Sequence, residues 1–239
     1  MGSETKDTLL LENIKNIYKK ISSAAIRSGR SPFDVKLIAV TKTVDSGRIK
    51  EAIDLGLRIF GENKVQEAKE KILSPGSLIS YSEIEWHLIG HLQKNKVKAA
   101  VQLFDLIQSL DSISLAEEIN NFAGKEGKIE RVLIQVKLSG EETKHGVARQ
   151  DLMNLIEAVS EMKNLKLEGL MTIPPFFDDP EMARPYFREL RELRDNAVRA
   201  GYEMQELSMG MTNDFEVAIL EGATMVRIGT AIFGERRYE

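Results

Sequence analysis

The chain has 239 residues, and its 33 Lys and Arg against 37 Asp and Glu give a formal net charge of −4. With 42% hydrophobic and 29% charged residues, it has the balance of a folded globule, which excludes global disorder, while the acidic excess excludes a generic nucleic-acid binder. The absence of cysteine removes disulfides, thiolate catalysis, Cys-ligated zinc and iron–sulfur clusters.

The first element is an amphipathic helix over 8–29. Leu10, Ile14, Ile17, Ile21 and Ala25 recur at helical spacing, Gly29 is its stop, and Pro32 bars continuation. Residues 1–7 are expected to be a flexible tail. The start, Met1-Gly2-Ser3-Glu4-Thr5-Lys6, lacks the apolar stretch of a signal peptide. Apolar runs never exceed four or five residues, against the ~20 of a membrane span. No membrane partner is expected, and a cytoplasmic address fits.

After Pro32 a regular alternation sets in. Apolar runs at Val35–Thr41, Arg58–Phe60, Glu85–Ile89, Phe104–Gln108, Val132–Leu138, Leu167–Ile173, Glu206–Met209 and Met225–Ile228 are separated by helical patterns at 46–56, 62–73, 93–102, 112–123, 148–162, 181–200 and 213–221. Strands alternating with helices imply βαβ units and a parallel sheet. Most runs are apolar throughout, as strands buried on both faces are. Eight such units predict an α/β protein, a single (β/α)8 TIM-type barrel over 1–239 with an extra N-terminal helix. The competing arrangement is an open doubly wound sheet, but no run leads into a G-x-G-x-x-G turn. No linker or low-complexity segment divides the chain; Ser74–Tyr81 and Pro174–Pro180 read as connections.

In such a barrel, chemistry sits at the C-terminal ends of the strands. The residues there are Lys42, Gly61-Glu62-Asn63, Gly90-His91-Leu92-Gln93, Ser109, Ser139-Gly140, Thr172-Ile173-Pro174, Ser208-Met209-Gly210-Met211 and Arg227-Ile228-Gly229-Thr230. Lys42 shares a strand face with Ile38 and Val40. If that face points inward, desolvation favours the neutral amine, a nucleophile towards aldehydes; otherwise Lys42 simply emerges into solvent. Phosphate sites in these barrels often use the last two loops. Here those loops offer glycines that admit an anion, the hydroxyls of Ser208 and Thr230, and the fixed charge of Arg227. An amine facing a phosphate cradle suits an aldehyde that carries a phosphate.

Six segments carry a resemblance. They are Ala39-Val40-Thr41-Lys42-Thr43, Phe60-Gly61-Glu62-Asn63-Lys64-Val65-Gln66-Glu67, the run from Glu85 to Lys96, Gly169-Leu170-Met171-Thr172-Ile173-Pro174, Leu207-Ser208-Met209-Gly210-Met211, and the run from Met225 to Gly234. In this order, over roughly residues 8–236, the chain resembles the pyridoxal 5′-phosphate (PLP) homeostasis proteins, whose barrel is that of the alanine racemase N-terminal domain. The resemblance implies a monomer in which Lys42 forms the Schiff base with PLP. Ser208, Gly229 and Thr230 would hold the phosphate, Arg227 would approach the pyridine nitrogen, and Asn63 would lie beside the cofactor. The chain has Met211-Thr212-Asn213-Asp214 where the family usually reads Met-Ser-x-Asp, which keeps a hydroxyl.

The resemblance implies a role in PLP supply and amino-acid/keto-acid balance rather than turnover, with apo forms of PLP enzymes as candidate partners. The residues agree with a non-catalytic reading. A racemase needs a second base, and the tyrosines at 18, 81, 186, 202 and 238 all fall away from the predicted rim. The chain also ends directly after its last predicted barrel unit, leaving no added domain to supply one. A cationic Arg227 disfavours the pyridinium that makes the strongest electron sink. The rivals are a PLP-dependent enzyme with weak racemase or transaminase activity, and a Schiff-base aldolase without PLP. No metal site is expected. His87 and His91 are four apart on a strand, about 13 Å, without the Glu of a zincin; a three-His site with His145 is conceivable, hydrogen bonding or packing the plainer role.

Overall fold

The computed structural model describes residues 2–73, 84–139 and 145–234, with side chains from residue 8 onward. The helices are α1 (Gly2–Arg27), α2 (Ser46–Asp54), α3 (Val65–Leu73), α4 (Val97–Leu103), α5 (Ile113–Lys125), α6 (Leu152–Ser160), α7 (Arg184–Arg199), α8 (Phe215–Leu220) and α9 (Thr230–Phe233). The strands are β1 (Lys36–Val40), β2 (Ile59–Glu62), β3 (Glu85–Leu88), β4 (Leu106–Leu110), β5 (Glu130–Lys137), β6 (Val147–Ala148), β7 (Leu165–Met171), β8 (Glu206–Ser208) and β9 (Met225–Ile228). Every pairing is parallel, in the order β4-β3-β2-β1-β9-β8-β7-β5, and a β4–β5 pairing closes the ring into an eight-stranded barrel. The expected (β/α)8 architecture with an N-terminal helix is the observed one.

Closure divides the apolar residues into two cores. Ile38, Leu106, Leu133, Met171 and Met225 fill the barrel interior. A larger core, with Leu37, Ala39, Phe60, Trp86 and Val226 among its members, lies between the sheet and the helices. Adjacent residues of β1 therefore serve different cores, as the pleat requires. The amphipathic stripe of α1 is buried and packs on α8 and α9. Each of its large aliphatic side chains contributes about 1.5–3 kcal/mol relative to exposure. Asn13 Nδ2 donates to Ile232 O at 3.0 Å, and Arg30 NH2 to Ile219 O at 2.8 Å and Ala223 O at 3.0 Å, so the N-terminal segment is fastened to the last barrel units.

Three details depart from the sequence reading. The helix α1 begins at Gly2, so residues 2–7 continue it where a tail was expected. It ends at Arg27, ahead of Gly29, whose φ of +73° suits glycine. The strand β6 pairs with β5 through Val136 and Val147; two residues are too few to show a period. The connection at Ser74–Tyr81 lies outside the described residues. Among the described residues no helix is long and apolar enough to cross a membrane.

The barrel base holds a carboxyl in an unusual state. Glu130, at the start of β5, is fully buried. Lys128 Nζ stands 2.8 Å from Glu130 Oε2. Two of its three hydrogens go to the carbonyls of Val101 at 3.0 Å and Phe104 at 2.5 Å. Glu130 Oε1 has no partner, and burial, only partly opposed by Lys128, pushes the carboxyl up to about 7 from an ordinary 4.5. With the folded value above the unfolded one, the stability it confers is complete below the unfolded value and lost as pH rises through the folded one. The expected outcome is a loss of up to about 3 kcal/mol between about pH 5 and pH 8 that Glu130→Gln flattens. Thermal unfolding across that range checks it; an equal slope in both proteins rules it out.

Candidate functional site

At the C-terminal end of the strands the barrel opens into a cavity of about 570 Å³, within the usual range for small-molecule sites. Lys42, Asn63, Arg227, Gly229 and Thr230 all line it. Ile38 lies in the barrel interior and Val40 lines the cavity, so the face shared with half-buried Lys42 does point inward. Two glycines make this packing possible. A Cβ on Gly90 would lie 2.2 Å from Asn63 O, and one on Gly229 would lie 3.2 Å from Val40 O. At Gly90 the chain thus approaches Asn63 as only glycine allows, and at Gly229 a side chain would be tightly crowded.

Ser208 is placed differently from the expectation. It is fully buried and does not line the cavity. Its hydroxyl donates to Gln108 Oε1 at 2.6 Å and accepts from Arg227 NH1 at 2.6 Å. The hydroxyl beside Thr230 comes instead from Thr212, with the two Oγ1 atoms 3.2 Å apart. The turn entering α9 adds N–H groups that have no acceptor within the helix. Arg227 is 3% exposed and also donates to Thr172 O at 2.8 Å. Burial pulls its guanidinium down to about 10, opposed by the nearby Asp214, so it stays cationic at neutral pH. The lining therefore joins an amine, two hydroxyls, backbone donors and a buried cation, a donor set that fits a phosphorylated aldehyde.

A buried cluster behind Lys42 fixes its loop. Lys71 Nζ donates to Thr41 O at 2.6 Å, Glu62 Oε1 at 2.7 Å and Glu67 Oε1 at 2.7 Å, and Thr41 Oγ1 donates to Glu62 Oε1 at 2.6 Å. The residue after Lys42, Thr43, has a φ of +64°, costly for a β-branched side chain. Its N–H donates to Glu67 Oε1 at 2.5 Å, which holds the turn. Sequence reasoning placed Glu62 at the rim but missed Lys71 and Glu67, which precede or follow no strand end. It also missed Gln135 and Lys137, which line the cavity from β5; their odd positions, shared with inward Leu133, were the available signal.

Ser109, expected at the rim, follows inward-facing Gln108 and so turns out of the barrel, fully buried; Gly140 lies outside the described residues. Among the described residues no tyrosine lines the cavity; Tyr81 and Tyr238 are not among them. His87 is buried in the barrel with Gln108, away from the other two histidines. His91 and His145 meet at the mouth near Asp111, with ligand atoms within 4.8 Å of one another. Their rings stack at 3.7 Å with an 8° angle. Parallel rings direct their lone pairs alongside each other, and a shared ion would need one ring to turn.

With this geometry, the comparisons decide the family. The model of the alanine racemase N-terminal domain matches residues 11–237. The pyridoxal phosphate homeostasis protein of Aquifex aeolicus is 47% identical, covering 95% of this chain and 98% of that one. The protein of the same name from Escherichia coli K12 is 42% identical over 96% of this chain and 97% of its own. The chain belongs to the pyridoxal phosphate homeostasis family. A solved family structure, PipY of Synechococcus elongatus PCC7942 with PLP bound, superposes with a TM-score of 0.79 at 36% identity, over 91% of this chain and 100% of that one.

The cluster behind Lys42 makes a prediction. Glu62 is fully buried, its Oε2 has no partner, and burial raises its carboxyl. Lys71→Met strands that group and should cost about 3–5 kcal/mol, a fall in Tm on the order of 10 °C. Adding Glu62→Gln should recover part of the loss. Calorimetry of the two variants checks this, and additive losses would contradict it.

Proposed function

We propose that this chain binds pyridoxal 5′-phosphate, holds it covalently through Lys42, and acts in PLP homeostasis and amino-acid/keto-acid balance rather than in turnover. The observation that carries this reading is the cavity lining: the amine of Lys42, an anion cradle and a buried cation converge on one space at the mouth of a family barrel. The PLP bound to PipY supports it. When bound, the cofactor supplies an aldehyde that reacts with amines and a ring that withdraws electrons.

The chain's own residues would divide the work. Lys42 would hold the aldehyde carbon. Gly229 and Thr230, joined by Thr212, would take the phosphate. Asn63 would pack beside the ring and Arg227 would donate towards its nitrogen. Ser208, whose hydroxyl is committed to Gln108 and Arg227, would serve the site through Arg227. A cation at the ring nitrogen keeps that nitrogen unprotonated and weakens the electron sink. With no tyrosine in the cavity among the described residues, this lining suits storage and delivery. We take residues 1–239 as one domain working as a monomer in the cytoplasm, with apo forms of PLP enzymes as recipients.

The rival of weak PLP-dependent catalysis draws on His91 and His145, which line the same cavity and could move protons. An absorbance titration with PLP, on the parent and Lys42→Ala, tests the cofactor and its anchor. A visible band in the parent and none in the variant is expected. Racemase and transaminase assays on the loaded protein should then show no turnover beyond free PLP. Rapid turnover would replace homeostasis with catalysis. No band with excess PLP would overturn the proposal in favour of aldolase-like chemistry.

A further inference from the structure

A single hydrogen-bonded line runs through the barrel interior from its base to the cavity floor. Arg131 NH1 donates to Glu85 Oε2 at 3.2 Å, where β3 begins. His87 Nε2 lies 3.2 Å from the same oxygen. His87 Nδ1 lies 3.0 Å from Gln108 Nε2. Gln108 Oε1 receives the Ser208 hydroxyl, which in turn receives Arg227 NH1. His87, Gln108 and Ser208 are fully buried, and neither His87 nor Gln108 reaches the cavity.

The chemistry of the groups fixes the direction of every bond. A guanidinium only donates, so Ser208 accepts from Arg227 and passes its own hydrogen to Gln108 Oε1. The amide nitrogen of Gln108 then faces His87 Nδ1 and donates to it. Burial lowers the pKa of His87, so the ring is neutral and carries its hydrogen on Nε2, towards Glu85. That bond holds the Glu85 carboxyl down at about 2. Turning the Gln108 amide over would leave the Ser208 hydrogen without an acceptor. It would also aim the His87 Nε2 lone pair at a carboxylate. The line therefore has one arrangement, and it ends by fixing Arg227 NH1 while Thr172 O fixes NH2.

The same interior also holds Ile38, Leu106, Leu133, Met171 and Met225, so the barrel can pack its interior with aliphatic side chains. Buried polar groups gain little stability over such packing, and their placement under Arg227 calls for another reason. We propose that Gln108, backed by His87, is a positioning residue of the cofactor site: through Ser208 it sets the plane of Arg227 so that the guanidinium edge faces the ring of bound PLP. This rests on the PLP-binding reading above.

The test is a double-mutant cycle on the full chain, with PLP dissociation constants read from the visible band and the pH dependence of that band recorded alongside. Gln108→Met keeps length and removes the hydrogen bonds to Ser208 and His87. It should weaken PLP about tenfold, the scale of one misaligned charge-assisted hydrogen bond, and shift the band's pH profile. Arg227→Gln should weaken PLP at least as much. The double variant should match Arg227→Gln within about twofold, because Gln108 acts only through Arg227. Parent-like binding by Gln108→Met, or multiplying effects in the double variant, overturns the proposal. Should circular dichroism show Gln108→Met unfolded, Ser208→Ala takes its place in the same cycle with the same two outcomes. A parent that takes up no PLP overturns the proposed function; a parent that loads while the cycle shows no coupling overturns this inference alone.

Discussion

A closed parallel barrel turns alternate residues of every strand inward, and that alternation decides where the charged residues of this chain can go. Lys42 continues the inward series of Ile38 and Val40, and Arg227 continues that of Met225, two positions along β9. The register of β1 against β9 sets Ile38 opposite Arg227, which puts Lys42 two inward positions further towards the mouth than the arginine. A shift of one residue in either strand would send its cation out of the barrel and away from the cavity. The position of the site therefore follows from backbone pairing before any side chain of the cavity is considered.

Holding cations there has a cost, and the surrounding residues offset it in two ways. Lys71 is answered by carboxylates, with Glu62 and Glu67 both at 2.7 Å. The fully formed cluster clamps the strained turn at Thr43, next to Lys42. Arg227 is answered by neutral acceptors, Ser208 Oγ and Thr172 O, with Asp214 only nearby. Neutral acceptors orient a guanidinium without cancelling its charge, so it remains available to a ligand. A direct carboxylate would make Arg227 a finished structural pair, while the observed partners leave it an electrostatic feature of the cavity.

The sequence made the barrel legible because its strands are apolar on both faces and its helices are amphipathic. The same alternation also fitted an open doubly wound sheet, and the pairing of β4 with β5 is what decides for the barrel. Lys42, Asn63, Gly229 and Thr230 were legible because each stands at a strand end, where backbone topology alone brings residues together. Ser208 was only half legible. Its position on β8 was right, but the partner of its hydroxyl depends on Gln108, a hundred residues away, and no local pattern encodes that. Lys71 and Glu67 lie on α3, which approaches the turn after β1 by packing, so their role emerges only in three dimensions. His91 and His145 likewise meet across two loops that carry no common spacing.

The same interior chain bears on whether this barrel carries PLP or uses it. An enzyme of this cofactor benefits from protonating the ring nitrogen, because the pyridinium draws electrons from the reacting carbon. In the proposed site the group facing that nitrogen would be Arg227, a cation fixed through its two terminal nitrogens, and the line behind it has one direction of donation. Carboxylates stand further off, with Glu85 at the barrel base and Asp214 without a hydrogen bond from Arg227 among the described residues. Reversing the polarity at the ring would require reversing every donor in the line or charging a buried histidine. On the proposed function, such an interior would keep the ring a hydrogen-bond acceptor, a setting that would retain the aldehyde on Lys42 and give little help to carbanion chemistry. The proposed binding without turnover would then rest on the interior layer as well as on the cavity.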